Sequence, residues 1–161
     1  MNMEPFPKRK NIRMKEYDYS SPGSYFVTVC TNSRDSVLWH NVGAATCRPM
    51  HPTLSAIGEI AESAILQIPQ HYNNVSVDKY CIMPDHIHLL ITISAMDNGR
   101  QIAAPTLSTI IGQLKRQISL QIGRSIWQKS FIDRIIRTKK GYLEVCKYIE
   151  NNPKNLDHHQ I

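Results

Sequence analysis

Residues 75–94 read VSVDKYCIMPDHIHLLITIS: two strand-like runs, Val75 to Met83 and His86 to Ser94, broken only by Pro84-Asp85. Both runs are rich in β-branched and aromatic residues, and a proline-aspartate pair is turn chemistry, so the stretch predicts an antiparallel hairpin with a tight connection. Side chains two apart in a strand share a face, which puts His86 and His88 on one side and Ile87, Leu89, Ile91 and Ile93 on the other. The second strand therefore offers one apolar face to a core and holds two imidazoles side by side on the opposite face.

Outward from the hairpin, Tyr25 to Thr31 (YFVTVCT) alternates with period two after the turn signal Ser21-Pro22-Gly23 and predicts a first strand. Residues 41–52 read as a loop. Thr53 or Ser55 can then cap a helix whose apolar positions Ile57, Ile60, Ala61 and Ala64 recur at helical spacing, running to about Gln70. After a second loop near 98–104, Pro105 stands at a plausible first helical position, and Leu107, Ile110, Ile111, Leu114, Ile118 and Ile122 mark an amphipathic helix. Trp127 to Arg137 holds a fourth strand and Thr138 to Asn152 a third helix, which Pro153 should stop. The order β-α-β-β-α-β-α is that of an α+β sandwich on a mainly antiparallel sheet.

A chain of 161 residues is long enough for one compact domain and one core, expected to cover residues 1–161 with a basic N-terminal arm at 1–20. The longest apolar run, Leu89 to Ile93, is too short to cross a bilayer, so a soluble, cytoplasmic protein with no membrane partner is expected. Cys30, Cys47, Cys81 and Cys146 form no CxxC pair and read as reduced core fillers rather than a disulfide framework or zinc knuckle. The net charge of +6 favours nucleic-acid phosphates. It clusters: Lys8, Arg9, Lys10, Arg13 and Lys15 in front, Lys115 and Arg116 in the second helix, and Arg134, Arg137, Lys139 and Lys140 before or at the start of the third. Tyr17, Tyr19 and Tyr25 interleave with the first group and suit stacking on unpaired bases, although burial in a core accounts for Tyr25 equally well. Solvated surface charge accounts for any single cation in these groups.

Two imidazoles make half of a metal site, and a catalytic magnesium or manganese also wants oxygen donors. In the last helix Tyr142, Val145, Cys146 and Ile149 follow the i, i+3, i+4, i+7 pattern of a buried face. Tyr148 stands at its border, with Asn152 one turn above it on the same flank, so a phenol and an amide oxygen are presented together. Read alone, each pattern has a plainer account: paired surface histidines without a ligand, a packing tyrosine, and an asparagine cap. His40, His51, His71, His158 and His159 have no partner at ligand spacing on an expected element and read as surface residues.

Four stretches in order carry a resemblance over nearly the whole chain: Arg9-Lys-Asn-Ile-Arg with Tyr17-Asp-Tyr-Ser and Gly23-Ser-Tyr-Phe-Val-Thr-Val-Cys-Thr; Met83-Pro-Asp-His-Ile-His-Leu-Leu; Trp127-Gln-Lys-Ser-Phe-Ile-Asp-Arg-Ile-Ile-Arg; and Tyr148-Ile-Glu-Asn-Asn-Pro. The sequence resembles the REP-associated tyrosine transposases, relatives of the single-tyrosine HUH transposases of small bacterial insertion sequences. The resemblance implies a ferredoxin-like (RRM-like) fold, a nucleophile at Tyr148 and a divalent metal ion, Mg2+ or Mn2+, on His86, His88 and Asn152. It also implies single-stranded DNA with hairpin (REP-like) elements as partner, a monomer or homodimer, and cleavage and rejoining through a 5′-phosphotyrosine. The loop from Trp39 to His51 departs from the pattern. Attack by a phenol whose free pKa is about 10 calls for a base. Asp133 is a candidate by its place in a motif, and a salt bridge with Arg137 is an equal account of it.

Overall fold

A computed structural model describes residues 17–33, 35–40, 53–96 and 105–155, with side chains to residue 152. Its elements are β1 (Gly23–Cys30), α1 (Ala56–His71), β2 (Val75–Ile82), β3 (His86–Ile93), α2 (Leu107–Ile122), β4 (Ile132–Ile136) and α3 (Lys139–Asn155). The strands form one sheet in the order β2-β3-β1-β4, and each neighbouring pair is antiparallel. Because β1 and β2 both oppose β3, they run parallel to each other with β3 between them, so α1 has to cross over a sheet face to join them. The expected α+β, ferredoxin-like order is the observed one.

Alternation divides the chain between two faces. Tyr25, Val27 and Val29 of β1 and Ile87, Leu89, Ile91 and Ile93 of β3 are buried in one cluster with Ala61, Ala64, Ile65 and Ile68 of α1 and the apolar stripe of α2. The opposite face carries a smaller cluster, Cys81, Met83 and Leu90 beneath Val145 and Ile149 of α3. Burying a leucine-sized side chain contributes roughly 1.5–3 kcal/mol, so α1 and α2 are held by far more apolar contact than α3. Tyr25 is fully buried and donates its hydroxyl to the Ser21 carbonyl at 2.8 Å, which settles it as a core residue rather than a stacking platform.

Local chemistry explains the ends of the elements. Ser55 caps α1, its hydroxyl accepting from Gly58 N at 3.1 Å. Gly58 is itself required there, since a Cβ would lie 2.1 Å from the Leu38 carbonyl oxygen. α2 starts at Leu107 with Thr106 as its cap, so Pro105 precedes the helix instead of opening it, and Gly123 closes it at φ 75°. The β2–β3 hairpin closes with Met83 N donating to His86 O at 2.8 Å, and neither Pro84 nor Asp85 has positive φ. Proline pins its own φ near −65° and so bars the primed turns that most two-residue hairpins use. α3 runs past Pro153 to Asn155, contrary to the expected stop at that residue: the lost N–H bond and the crowding of the carbonyl four residues back fall on the last turn, and the helix before it keeps its hydrogen bonds. Among the described residues no helix is long and apolar enough to cross a membrane. Cys30, Cys81 and Cys146 are free thiols, Cys81 buried and the others half-buried; Cys47 lies outside the described residues.

Candidate functional site

The polar face of β3 meets α3 at one end of the sheet. His86 and His88 project together there, with their Nε2 atoms 3.1 Å apart. Each ring is held from behind. The Nδ1–H of His86 donates to Asp85 Oδ1 at 2.7 Å, and His88 Nδ1 shares a 3.0 Å hydrogen bond with Thr28 Oγ1 from the paired strand β1. A hydroxyl both donates and accepts, so Thr28 serves either tautomer of His88. Asp85 is braced in turn, because its carbonyl accepts from Thr31 N and Thr31 Oγ1, each at 2.9 Å.

Aromatic packing fixes the rest. Phe26 stacks on His88 at 5.2 Å between centroids, and Tyr148 of α3 stands edge-on to both rings, 5.4 Å from His88 and 5.8 Å from Phe26. His88 is 5% exposed whereas Tyr148 is 51% exposed, so the phenol faces solvent while the imidazole beneath it is dry. That burial, with the neighbouring His86, pushes the His88 pKa down to about 4, so the ring is neutral near neutral pH and keeps a lone pair for coordination.

The donor set fits a divalent cation. Metal–nitrogen bonds of about 2.0–2.1 Å separate two adjacent ligand nitrogens by about 3 Å at a right angle, and the Nε2 pair stands at that spacing. Both Nδ1 atoms are tied to oxygen, the usual second contact of a metal-binding imidazole. Asn152, one turn beyond Tyr148, is half-buried with its amide Nδ2 enclosed and without a hydrogen-bond partner. An unpartnered buried amide is rare, and a half-turn about its last bond exchanges nitrogen for oxygen. Among the described residues no three His, Cys, Asp or Glu side chains gather.

The cations spread differently from one another. Arg134 pairs in register with Phe26 and so shares the sheet face of the histidines. Arg137, Lys139 and Lys140 are exposed where β4 turns into α3. A hollow of about 460 Å³ lies there, lined by Tyr19, Arg134, Arg137, Thr138 and Gly141 among others, while the histidine pair lies outside it. Arg116 is exposed on α2, whereas Lys115 donates to the carbonyls of Gln128 and Ser130 at 2.8 and 2.7 Å and so tethers the loop before β4. Arg9, Lys10 and Arg13, with most of the arm, lie outside the described residues, as do His51, His158 and His159; His40 and His71 are exposed. Asp133 pairs with Val27, on the opposite face of the sheet from Tyr148, so strand alternation removes it as a base for that phenol.

Three contributors were not singled out in the sequence reading: Asp85, Thr28 and Phe26. The adjacency Asp85-His86 is a visible signal for the first. The other two become neighbours of His88 only through the β1–β3 register, which no local pattern encodes.

A histidine pair and a tyrosine are thus brought together on a basic α+β scaffold, and comparison with known families defines the class as a DNA-processing transposase. The IS200-like transposase family matches residues 19–152, and the chain belongs to that family. It is 29% identical over 164 residues to an uncharacterised protein of Haemophilus influenzae, covering 90% of this chain and 88% of the relative. A second Haemophilus influenzae protein, carrying the provisional name REP-associated tyrosine transposase, is 32% identical over 102 residues, 56% of each chain. Among solved structures, a REP-associated tyrosine transposase bound to a REP hairpin shares the fold, with a TM-score of 0.64 and 22% identity over 92% of this chain and 76% of that one.

Proposed function

We propose that this transposase cleaves and rejoins single-stranded DNA by transesterification through Tyr148, with a divalent cation, Mg2+ or Mn2+, held by His86, His88 and Asn152. The observation that carries the proposal is the edge-on placement of the half-exposed Tyr148 ring over the buried His88, whose Nε2 converges with that of His86. When bound, the cation supplies positive charge to a non-bridging oxygen of the scissile phosphate, which makes phosphorus easier to attack.

The remaining steps belong to the chain. Asp85 and Thr28 hold the two imidazoles with Nε2 forward, so little reorganisation is needed when substrate arrives. The Tyr148 oxygen attacks phosphorus, its proton leaves to solvent, the bond to the 3′ oxygen breaks, and that oxygen takes up a proton from solvent. The products are a 5′-phosphotyrosine and a free 3′-hydroxyl, and attack by another 3′-hydroxyl reverses the step and joins new strands without an outside energy source. Phe26 closes one side of the phenol and limits its rotamers.

For the substrate path, Arg134 on the histidine face and Arg137, Lys139 and Lys140 between β4 and the first turn of α3 are placed to bind flanking phosphates, with Arg116 and the arm residues Arg9, Lys10 and Arg13 as further phosphate contacts; Lys115, expected among them, is instead committed to the carbonyls of Gln128 and Ser130. The solved relative bound to a REP hairpin supports a substrate that carries hairpin elements. The reading takes residues 1–161 as one transposase domain whose arm, 1–20, adds sequence-independent affinity.

The test is incubation of wild type and Tyr148→Phe with single-stranded oligonucleotides labelled at either end, with Mn2+ or Mg2+ and with chelator. The reading expects a metal-dependent covalent adduct on the downstream fragment in the wild type alone. Cleavage that persists in Tyr148→Phe would mean that water is the nucleophile, and binding without any adduct would mean a module that holds DNA and does not cut it.

A further inference from the structure

β2 breaks register against β3 between Val77 and Lys79: Val77 pairs with Ile91 and Lys79 with Leu90, and Asp78 is the extra residue of a β-bulge. In a regular strand Asp78 and Lys79 would face opposite sides of the sheet. Here both reach α3. Asp78 Oδ2 accepts from the Tyr142 hydroxyl at 2.9 Å, and Lys79 Nζ meets Glu150 Oε1 at 2.6 Å. Tyr142 and Glu150 bracket Tyr148 along the helix, about 12 Å apart at the usual rise per residue.

Asp78 is itself immobilised. Thr92 of β3 donates to the same oxygen at 2.6 Å, Ser76 donates to the other at 2.7 Å, and Ser24 of β1 lies 2.8 Å from the Thr92 hydroxyl. One carboxylate therefore collects hydroxyls from β2, β3 and α3. Desolvation, and then the bond to Asp78, push the Tyr142 phenol up to about 12, so it stays a donor to that carboxylate across the working range of pH.

This contact matters because the apolar patch under α3 is small, and a helix seated on a small patch can pivot or slide. A polar contact on each side of Tyr148 opposes these motions. They are unequal: Lys79 and Glu150 are 44% and 54% exposed, so that pair is screened and adds little, and the bond from Tyr142 to the braced Asp78 dominates. Bulges are common beside active sites, where they re-aim side chains, and this one turns two consecutive residues onto one helix.

We infer that the bulge at Asp78 is a positioning device for the strand-transfer reaction, in which Asp78, assisted by Lys79, docks α3 so that Tyr148 stands over His88. The inference rests on the reading of Tyr148 as nucleophile, and Asp78 acts through Tyr142 without touching the substrate.

The experiment compares wild type with Asp78→Ala, Asp78→Asn, Tyr142→Phe and Lys79→Ala. It measures single-turnover adduct formation, affinity for an uncleavable oligonucleotide, affinity for Mn2+, and, in chelator, the NMR shifts of the His88 ring protons, which feel the ring current of Tyr148. Misplacement by about 1 Å can cost on the order of 100-fold in rate. Asp78→Ala and Tyr142→Phe are accordingly expected to slow adduct formation about 10- to 100-fold and to move the His88 signals towards those of Tyr148→Ala. Both affinities stay within about twofold, Asp78→Asn, which keeps an acceptor oxygen, recovers most of the rate, and Lys79→Ala has a small effect.

Unchanged rates and unchanged His88 signals in Asp78→Ala and Tyr142→Phe would overturn the inference, as would a parallel loss of rate, both affinities and melting temperature. A wild type that forms no adduct overturns the nucleophile reading and, with it, the catalytic part of this inference; the His88 signals then still report whether Asp78 docks the helix.

Discussion

Replacing Asp85 with alanine should weaken metal binding and leave the fold intact. The carboxylate receives the His86 Nδ1–H at 2.7 Å and so aims the opposite nitrogen at His88. Loss of such a second contact typically lowers metal affinity 10- to 100-fold. The Asp85 side chain is 41% exposed, which screens its charge and places the expected loss at the lower end, about tenfold or 1.4 kcal/mol. The Thr31 contacts go to the Asp85 backbone carbonyl and survive the substitution, so stability in chelator should change by less than about 0.5 kcal/mol. Calorimetric titration with Mn2+ gives the affinity, and thermal melts in chelator give the stability. The reasoning fails if the variant binds Mn2+ as tightly as wild type while His86→Ala abolishes binding, or if the metal-free variant melts several degrees lower.

Other consequences follow from the same geometry. His88 is neutral when folded down to about pH 4, against 6.5 for a free imidazole, so as pH falls from 6.5 to 4 the unfolded chain takes up a proton that the folded chain refuses and stability drops. At pH 5 this amounts to about 2 kcal/mol; urea unfolding in chelator at pH 7.5 and pH 5 should show that extra loss in wild type relative to His88→Gln, and equal losses would contradict it. Gly58→Ala drives a methyl into the Leu38 carbonyl and should destabilise by about 1–3 kcal/mol by denaturant titration, whereas a neutral outcome would mean that α1 shifts freely. Arg134→Ala should weaken single-strand binding and flatten its salt dependence by about one phosphate contact with little change in melting temperature. Lys115→Ala should lower the melting temperature through the loop it tethers; the reverse pattern in these two would mean their roles are exchanged.

How far the sequence carried this description depended on the range of the interaction. The inward face of β3, the stripe on α3 and the pairing of His86 with His88 follow from periodicity within one element, and the structure repeats them. Thr28 and Phe26 act on His88 across a strand pair, and register is set by the whole sheet. Asp78 looks like an unremarkable polar residue in VSVDKY, because a bulge appears only as a slip against a partner strand. Pro153 does not stop α3, because its cost falls on the last turn alone and leaves every earlier hydrogen bond of the helix in place, and Lys115 is indistinguishable from Arg116 until the carbonyls it holds are seen. Tyr25, open between core and stacking surface from its pattern, is decided by full burial.

The central claim is tested most directly by mass spectrometry of the wild-type protein after incubation with a single-stranded oligonucleotide and Mn2+. The account predicts a covalent DNA fragment attached through its 5′ phosphate to the peptide containing Tyr148, absent with chelator and absent in Tyr148→Phe. Cleaved DNA with no protein-linked fragment, or an adduct on any other residue, would contradict it.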